Sequence, residues 1–206
     1  CTDTVVRQVG DIGRMVDEFS SFARMPKPAK EETDLRDIVR DAVFLREMGT
    51  SHVEFIRDLG DEPLIGQFDA RMLGQAFGNL VKNAVEAIES VPSDQERDDR
   101  KVWVRARFDH GRDLFVVEII DNGSGLPAEN RHRILEPYMT MREKGTGLGL
   151  AIVKKIIEDH GGQLELHDAP AEFDQGRGAM IRVLLPQVMR TGGAGTETDK
   201  EFAYGV

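Results

Sequence analysis

The sequence predicts an α+β protein, a two-layer α/β sandwich in which a mixed sheet is packed by helices. One helix is indicated by apolar residues that recur three and four positions apart between residues 69 and 89. Two strand-like runs joined by a short turn predict a hairpin. Elements that each bury one face pack as layers around one core. The predicted helices are 34–48, 69–89, 127–135 and 148–159, and the predicted strands are 53–59, 101–108, 113–121, 163–167 and 179–185.

The predicted elements begin and end at residues that suit such boundaries. Thr33 or Asp34 is expected to cap the first helix, and Asp69 the second, since a side-chain oxygen there can accept a backbone N–H. The apolar run 114–120 is typical of a buried strand. Residues 109–112, Asp-His-Gly-Arg, close the hairpin.

Composition limits the classes of function. The net charge of −10 and a pI near 5.0 argue against a nucleic-acid partner. A single cysteine rules out an internal disulfide framework and favours a cytoplasmic location. No apolar run reaches the roughly 18 residues of a membrane span, so no membrane contact is expected of this chain. Its 206 residues fit one domain with a preceding helix and a tail.

The predicted helix 69–89 has a polar arc about 100° wide along one side. An asparagine oxygen in such an arc is a hard, neutral ligand that suits Mg²⁺. The other interpretation is that the arc is simply the solvent side of an amphipathic helix. The polar arc holds Gln75, Asn79, Lys82, Asn83 and Glu86, and the apolar arc holds Leu73, Phe77, Leu80, Val81, Ala84 and Ile88.

The second motif lies at the end of the predicted strand 113–121. The Asp121 carboxylate can accept a hydrogen bond from an exocyclic amino group such as that of adenine. Gly123 and Gly125 allow a tight turn and a close approach to a ligand. An ordinary turn after a strand is the alternative, because Asp, Asn and Gly are common in turns.

The third motif is a glycine-rich segment that opens a helix, with glycines at positions 145, 147 and 149. The free amides and positive dipole of a helix N-terminus attract phosphate. The glycine spacing fits neither the dinucleotide-binding fingerprint nor the P-loop, and a flexible lid describes it better. Arg142 and Lys144 either donate to terminal phosphates or are solvated surface charges.

The three motifs resemble the N, G1 and G2 boxes of histidine-kinase catalytic domains, in the wider family shared with gyrase B, Hsp90 and MutL. Residues 136–138 (Glu-Pro-Tyr) resemble the F box, and residues 176–179 (Gly-Arg-Gly-Ala) resemble a final glycine box. The run 136–150 is similar to nitrogen-regulation sensor kinases, especially to the NtrY-like branch. The resemblance covers roughly residues 30–186.

The resemblance implies a role for each matching position. Asn83 matches the Mg²⁺-binding asparagine, Asn79 matches its partner one turn earlier, and Asp121 matches the adenine-reading aspartate. The residues expected to act in catalysis are Asn79, Lys82, Arg142 and Lys144. The residues expected to contact the nucleotide are Asn79, Asn83, Asp121, Gly123, Gly125, Tyr138, Lys144, Gly145, Thr146, Gly147, Leu148, Gly149 and Leu150.

The sequence departs from the family pattern at two positions. Many relatives have a phosphate-contacting lysine where this chain has Glu86, so the contact is expected from Lys82 or the lid. Tyr138 stands where others often have phenylalanine. Gyrase-type and Hsp90-type members place a catalytic glutamate at the position of Asn79. An amide is a poor general base, so the site is expected to hold ATP for transfer rather than for rapid hydrolysis.

Residues 1–25 show a heptad pattern over nearly three repeats, with apolar residues at positions 5, 9, 12, 16 and 19. In this family such a helix resembles the second helix of the dimerisation and phosphoacceptor hairpin; a helix that folds back on its own domain is the alternative. A linker is expected at 26–32, the catalytic domain at 33–188 and a flexible tail at 189–206. None of the five histidines has the phosphoacceptor context, and the chain starts with Cys1, so a fragment is expected.

The expected function is that of a protein-histidine kinase module. With ATP and Mg²⁺ as cofactors, it would donate the γ-phosphoryl group to a histidine absent from this chain, for relay to an aspartate of a response-regulator receiver domain. The intact protein is expected to be a homodimer through the hairpin helices and to be anchored in the inner membrane. Two alternatives stay open, a hydrolytic ATPase of the gyrase/Hsp90 type and a docking module that needs no nucleotide.

Overall fold

In the computed structural model, which describes residues 13, 25–92, 99–139 and 147–187, three helices pack on one face of a five-stranded mixed sheet. This arrangement confirms the predicted α+β two-layer architecture. The helices are α1 (Leu35–Glu47), α2 (Ala70–Glu89) and α3 (Gly149–Asp159). The strands are β1 (Glu31–Asp34), β2 (Glu54–Asp58), β3 (Ile65–Phe68), β4 (Lys101–Asp109), β5 (Leu114–Asp121), β6 (Gln163–Asp168) and β7 (Ala179–Pro186). The predicted helix 1–25 and tail 189–206 fall almost wholly outside the described residues.

The strand order of the main sheet is β2-β4-β5-β7-β6. β2 runs parallel to β4, and every other neighbouring pair is antiparallel. β5 is therefore the central strand, and it is paired on both sides to its last residue. Asp121 lies opposite Val102 of β4 and opposite Ala179 of β7. The backbone that carries Asp121 is thus held in place from two directions.

A second, two-stranded sheet was not predicted. β1 and β3 pair antiparallel, with Glu31 opposite Phe68 and Asp34 opposite Ile65. Glu31 and Glu32, at the end of the predicted linker 26–32, belong to β1. Strands of four residues are too short for an alternating pattern to be recognised.

The predicted helix 127–135 is shorter than expected. The structure has a 3₁₀ helix at Arg131–Leu135, and none of its residues is buried. Asn130, just before it, has a left-handed φ of 55°. Without an apolar face to bury, tertiary packing does not stabilise a longer helix here.

The core lies between the helices and the inner face of the sheet. The predicted apolar arc of α2 supplies much of it, since Leu73, Phe77, Leu80 and Val81 are fully buried. Asp69 caps α2 as predicted, and its carboxylate accepts the N–H of Met72 at 2.9 Å. Burial of this arc fixes which side of α2 is left for the polar residues.

Within the described ranges, the outer face of the sheet carries a cluster of charged side chains around Glu118 and, beside it, a small apolar cluster. Glu118 in β5 is buried and accepts from Arg107 at 2.6 Å and from Arg182 at 2.9 Å. Burial alone would raise the pKa of Glu118, but the hydrogen bonds and charges of Arg107 and Arg182 hold this pKa below its ordinary value. Trp103 packs edge-on against Phe173 on the same face, with ring centroids 5.4 Å apart.

Candidate nucleotide-binding site

The polar arc of α2 faces the start of α3. Asn79 and Asn83 are half-buried, whereas Lys82 is exposed and lies 3.7 Å from Glu86 in an i,i+4 ion pair. A Cβ built on Gly149 would lie 4.0 Å from Oδ1 of Asn83. The amide oxygen of Asn83 is therefore directed towards the N-terminus of α3.

Asp121 is 5% exposed at the end of β5, and its Oδ1 accepts the N–H of Gly123 at 2.9 Å. The loop that follows is fastened to the C-terminal end of α2. Ser124 donates its N–H to the carbonyl of Ala87 at 3.1 Å. A Cβ at Gly123 would lie 2.4 Å from the carbonyl carbon of Ala87, so only glycine allows this approach. Asp121 is thereby held close to the helix that carries the two asparagines.

The final glycine box supports the same strand end. Gly178 has a φ of +88°, and a Cβ there would lie 1.9 Å from the carbonyl oxygen of Asp121. Gly125 has a φ of +75°, and its Cβ would lie 3.4 Å from the carbonyl oxygen of Gly178. The glycines of the two boxes therefore pack against each other beside Asp121.

Asn122 is a site residue that the sequence did not reveal. Its Oδ1 accepts the N–H of Lys101 at 2.9 Å, and its Nδ2 donates to the carbonyl of Asp99 at 2.6 Å. The amide side chain thus adds two hydrogen bonds beyond the β4–β5 pairing. These bonds hold Asn122, the residue next to Asp121, in place. Asparagine at this position also suits a turn, so its type alone could not separate the two roles.

Leu148, the N-cap residue of α3, makes no side-chain cap bond, unlike Asp34 and Asp69 at the starts of α1 and α2. The N–H groups at the start of a helix suit a bound anion. Asn83 approaches this terminus from α2. The two features together could hold a phosphate and its counter-ion.

Gly147 and Tyr138 join the region before α3 to the F-box residues. Tyr138 donates its N–H to the carbonyl of Gly147 at 3.0 Å. Gly147 has a φ of +69°, and a Cβ there would lie 2.6 Å from the carbonyl carbon of Tyr138. The Leu148 side chain is only 1% exposed and belongs to the core, so a nucleotide contact by Leu148 would come from its backbone.

The structure places Gly149 beside Asn83 and fastens the loop of Gly123 and Gly125 to the end of α2, next to Asp121. Asn79 lies one turn before Asn83 in α2, and Leu150 follows Gly149 in α3. Arg142, Lys144, Gly145 and Thr146 lie outside the described residues, and their expected contacts stay predictions. Among the described residues, no group of three or more His, Cys, Asp or Glu side chains could hold a metal ion. The asparagine oxygens instead suit Mg²⁺, which can bind a neutral protein oxygen and complete its coordination with oxygens of phosphates and water.

His160 closes the opposite end of α3, where it is 3% exposed. Its Nε2 accepts the N–H of Asp69 at 3.1 Å, and its Nδ1 lies 2.8 Å from the carbonyl of Ile156. A backbone N–H can only donate and a carbonyl can only accept. The ring is therefore neutral, with its proton on Nδ1.

We expect His160 to make stability depend on pH. Burial lowers the pKa of His160 below the ordinary value of 6.5, and the bond to the Ile156 carbonyl opposes this shift. Nearby charges on Lys30, Asp69 and Asp159 also act on it. As pH drops below about 6.5, His160 therefore binds a proton in the unfolded chain but stays neutral in the folded chain. The free energy of unfolding then falls, by at most about 1.4 kcal/mol per pH unit.

Urea denaturation at a series of pH values measures this effect, with His160→Gln as the matched variant. The glutamine does not titrate, so the variant should lose this part of the pH slope. An identical slope in both proteins would contradict the assignment.

Residues 68–189 match the family described as histidine kinase-, DNA gyrase B-, and HSP90-like ATPase, which is more than half of the chain. The chain therefore belongs to this ATPase family. No helix in the described ranges is both long and apolar enough to cross a bilayer.

Similar curated proteins include a nitrogen regulation protein and several sensor histidine kinases. The chain is 57% identical to the nitrogen regulation protein NtrY of Azorhizobium caulinodans over 186 residues, which are 90% of this chain and 23% of that protein. It is 35% identical to a putative sensor histidine kinase NtrY-like of Rickettsia conorii, covering 82% of this chain and 27% of that protein. It is 33% identical to the sensory histidine kinase/phosphatase NtrB of Rhodobacter capsulatus, covering 90% and 52%. The chain thus spans about a quarter of the NtrY-type relatives.

Solved structures share the fold. The mycobacterial sensor histidine kinase MprB matches with a TM-score of 0.64 at 27% identity, over 77% of this chain and 97% of that chain. The histidine kinase ThkA in complex with the response regulator protein TrrA matches with a TM-score of 0.70 over 90% of this chain and 50% of that chain. At 21% identity, the second match shows the fold alone.

Proposed function

We propose that this chain is the ATP-binding catalytic module of a nitrogen-regulation sensor histidine kinase. It would bind Mg-ATP between α2 and the segment that leads into α3, and donate the γ-phosphoryl group to a histidine outside this chain. One observation supports this most strongly. The Asn83 oxygen faces the N-terminus of α3, where Leu148 makes no side-chain cap bond, and the loop after Asp121 is fastened to the C-terminal end of α2. The protein groups proposed to bind the metal, the phosphates and the base thus come from neighbouring elements.

Each part of the site has a distinct role in this proposal. The Asp121 carboxylate accepts from the adenine amino group, and the amides of the first turn of α3 hold phosphate oxygens. Asn83 holds Mg²⁺, which when bound neutralises phosphate charge. Asn79 lies one turn earlier and orients the same ligand set. Phosphoryl transfer depends mainly on such positioning and charge neutralisation.

Cations complete the site. Arg142 and Lys144 are proposed to contact terminal phosphates as charge-assisted donors. Lys82 is the cation of the polar arc of α2, and its exposed ion pair with Glu86 contributes little to stability. Lys82 can therefore leave Glu86 for a phosphate at small cost.

We also propose two protein partners, a second copy of the intact protein and a response regulator. In the intact protein, the segment 1–25 would pair with a second copy as part of a dimerisation hairpin, and the phosphoryl group would pass to a response-regulator aspartate. The similarity to NtrY and NtrB relatives supports a role in nitrogen signalling. We further propose that the intact protein is a membrane-anchored sensor with this module in the cytoplasm.

We expect the chain to bind ATP but to hydrolyse it far more slowly than about 1 s⁻¹, the lower end of typical enzyme turnover. The physical reason is that Asn79 cannot act as a general base for water. Steady-state phosphate release measures the turnover in the wild-type chain, in Asn79→Ala and in Gln75→Ala, a control on the same arc of α2.

Faster turnover that is lost in Asn79→Ala and kept in Gln75→Ala would favour a hydrolytic ATPase instead. Failure of the folded chain to bind any adenine nucleotide would favour a docking module.

A further inference from the structure

Three segments meet at one junction, in which Asp69 and His160 are buried and Ala29 is exposed. The Asp69 carboxylate accepts the N–H of Met72 through Oδ1 at 2.9 Å and the N–H of Ala29 through Oδ2 at 2.9 Å. The backbone N–H of Asp69 donates to Nε2 of His160 at 3.1 Å. Ala29 belongs to the predicted linker. Asp69 is the N-cap residue of α2, and His160 is the C-cap residue of α3. We call this group the Asp69–His160 junction.

The junction holds one end of the helix pair that carries the site. α2 and α3 pack against each other, with His160 beside Asp69 at one end and Gly149 beside Asn83 at the other. The two helices are therefore antiparallel. A change in their relative position at the junction is transmitted along rigid helices to the place where Asn83 faces the start of α3.

The linker has a direct contact with this junction. Ala29 donates to the same carboxylate that caps α2, and the next residues enter β1, which pairs with the strand leading to Asp69. Burial alone would raise the pKa of Asp69, but the N–H groups of Met72 and Ala29 hold this pKa below its ordinary value. Because one carboxylate serves the linker and the helix, a displaced linker changes how α2 begins.

We propose that Asp69 and His160 are positioning residues that couple the docking of linker residues 26–30 to nucleotide binding. This inference rests on the proposed function. Coupling between two sites is reciprocal. Nucleotide must therefore tighten the docking of the linker by the same factor by which a docked linker tightens nucleotide binding.

The variant Asp69→Asn isolates the linker contact. Asparagine is as good an N-cap as aspartate, so Oδ1 can still accept from Met72. Its Nδ2 then faces the N–H of Ala29, and two donors cannot bond to each other. The matched control is Asp34→Asn, because Asp34 also caps a helix, α1, and accepts a distant backbone N–H, that of Leu64 at 3.1 Å.

Two variants of His160 separate its two hydrogen bonds. Glutamine places an amide oxygen near the position of Nε2 and can still accept from Asp69. Asparagine reaches only the position of Nδ1 and retains at most the bond to the Ile156 carbonyl. If the link between α2 and α3 positions the site, His160→Gln should preserve nucleotide affinity better than His160→Asn.

The experiment measures the Kd of a non-hydrolysable ATP analogue with Mg²⁺ by calorimetry, together with hydrogen exchange at Ala29, in the full chain. We expect Asp69→Asn to raise the Kd by at least about fivefold, the low end of typical coupling, while Asp34→Asn leaves it unchanged. In the wild-type chain, saturating analogue should slow exchange at Ala29 by at least about fivefold. Thermal unfolding checks that every variant is folded.

Each outcome bears on a different claim. If the wild-type chain binds no analogue, the proposed function fails and the coupling fails with it. If the wild-type chain binds, but Asp69→Asn matches Asp34→Asn in Kd and exchange at Ala29 does not respond, the coupling is wrong and the proposed function stands. A lowered melting temperature with unchanged Kd would show a role in stability alone and would also overturn the coupling.

Discussion

Replacing Gly178 by alanine is expected to lower the free energy of unfolding by about 2–5 kcal/mol. Two causes combine. A Cβ at this position would lie 1.9 Å from the carbonyl oxygen of Asp121, and the φ of +88° is one that side chains other than glycine rarely adopt. The clash can be relieved only by moving backbone, and the backbone on the other side is the end of β5. Nucleotide affinity should therefore fall together with stability.

Urea denaturation of Gly178→Ala and Gly125→Ala measures this effect with an internal control. Gly125 also has a positive φ, of +75°, but its Cβ would lie 3.4 Å from the nearest atom, which is an ordinary contact. Gly125→Ala should thus cost only the backbone strain, about 1–2 kcal/mol. Equal losses in the two variants would show that the clash with Asp121 is not what requires glycine at 178.

Asp121→Asn is expected to weaken ATP binding at least tenfold, which is about 1.4 kcal/mol. The change is nearly isosteric, and Oδ1 can still accept from Gly123, as it does at 2.9 Å in the structure. The amide then presents an NH₂ group to the adenine amino group, and neither can accept. A site built around a hydrogen bond discriminates strongly when its partner is left unpaired.

Inosine triphosphate supplies the control for this prediction, because a carbonyl oxygen replaces the amino group of the base. The wild-type chain should prefer ATP, and Asp121→Asn should reduce or reverse that preference. Calorimetric titration of both nucleotides into both proteins gives the four affinities. If the substitution weakened ATP and inosine triphosphate by the same factor, Asp121 would not be the residue that reads the base.

The elements that were predicted correctly are long and strongly patterned. α2 was predicted because its apolar residues repeat over five turns and Asp69 provides a cap, and the structure buries that arc. The hairpin of β4 and β5 was predicted from two long runs around a turn. Local sequence carries enough information in such segments because the burial pattern repeats several times.

The features that the sequence did not predict depend on contacts between distant residues. β1 and β3 have four residues each and are strands only because they pair with each other. Asn122 is a common turn residue by type, and its bonds to Asp99 and Lys101 reveal that it supports the strand that ends in Asp121. A similar limit applies to Asp69 and His160, which are 91 positions apart in the sequence.

The candidate site likewise combines motifs that the sequence reveals with supporting contacts that it does not. Asn83, Asp121 and Gly149 stand out in the sequence because each lies in a motif that resembles a box of the family. The support for these motifs, such as the packing of Gly178 on Asp121, could not be predicted because it requires the strand order of the sheet.

The central claim is that α2, the end of β5 and the start of α3 form one adenine-nucleotide site. Calorimetric titration of ATP and ADP with Mg²⁺ into the wild-type chain tests this most directly. We expect both nucleotides to bind with a Kd between about 10⁻⁶ and 10⁻³ M, which corresponds to about −8 to −4 kcal/mol. A chain that is folded, as judged by cooperative thermal unfolding, and yet binds neither nucleotide at millimolar concentration would contradict the claim.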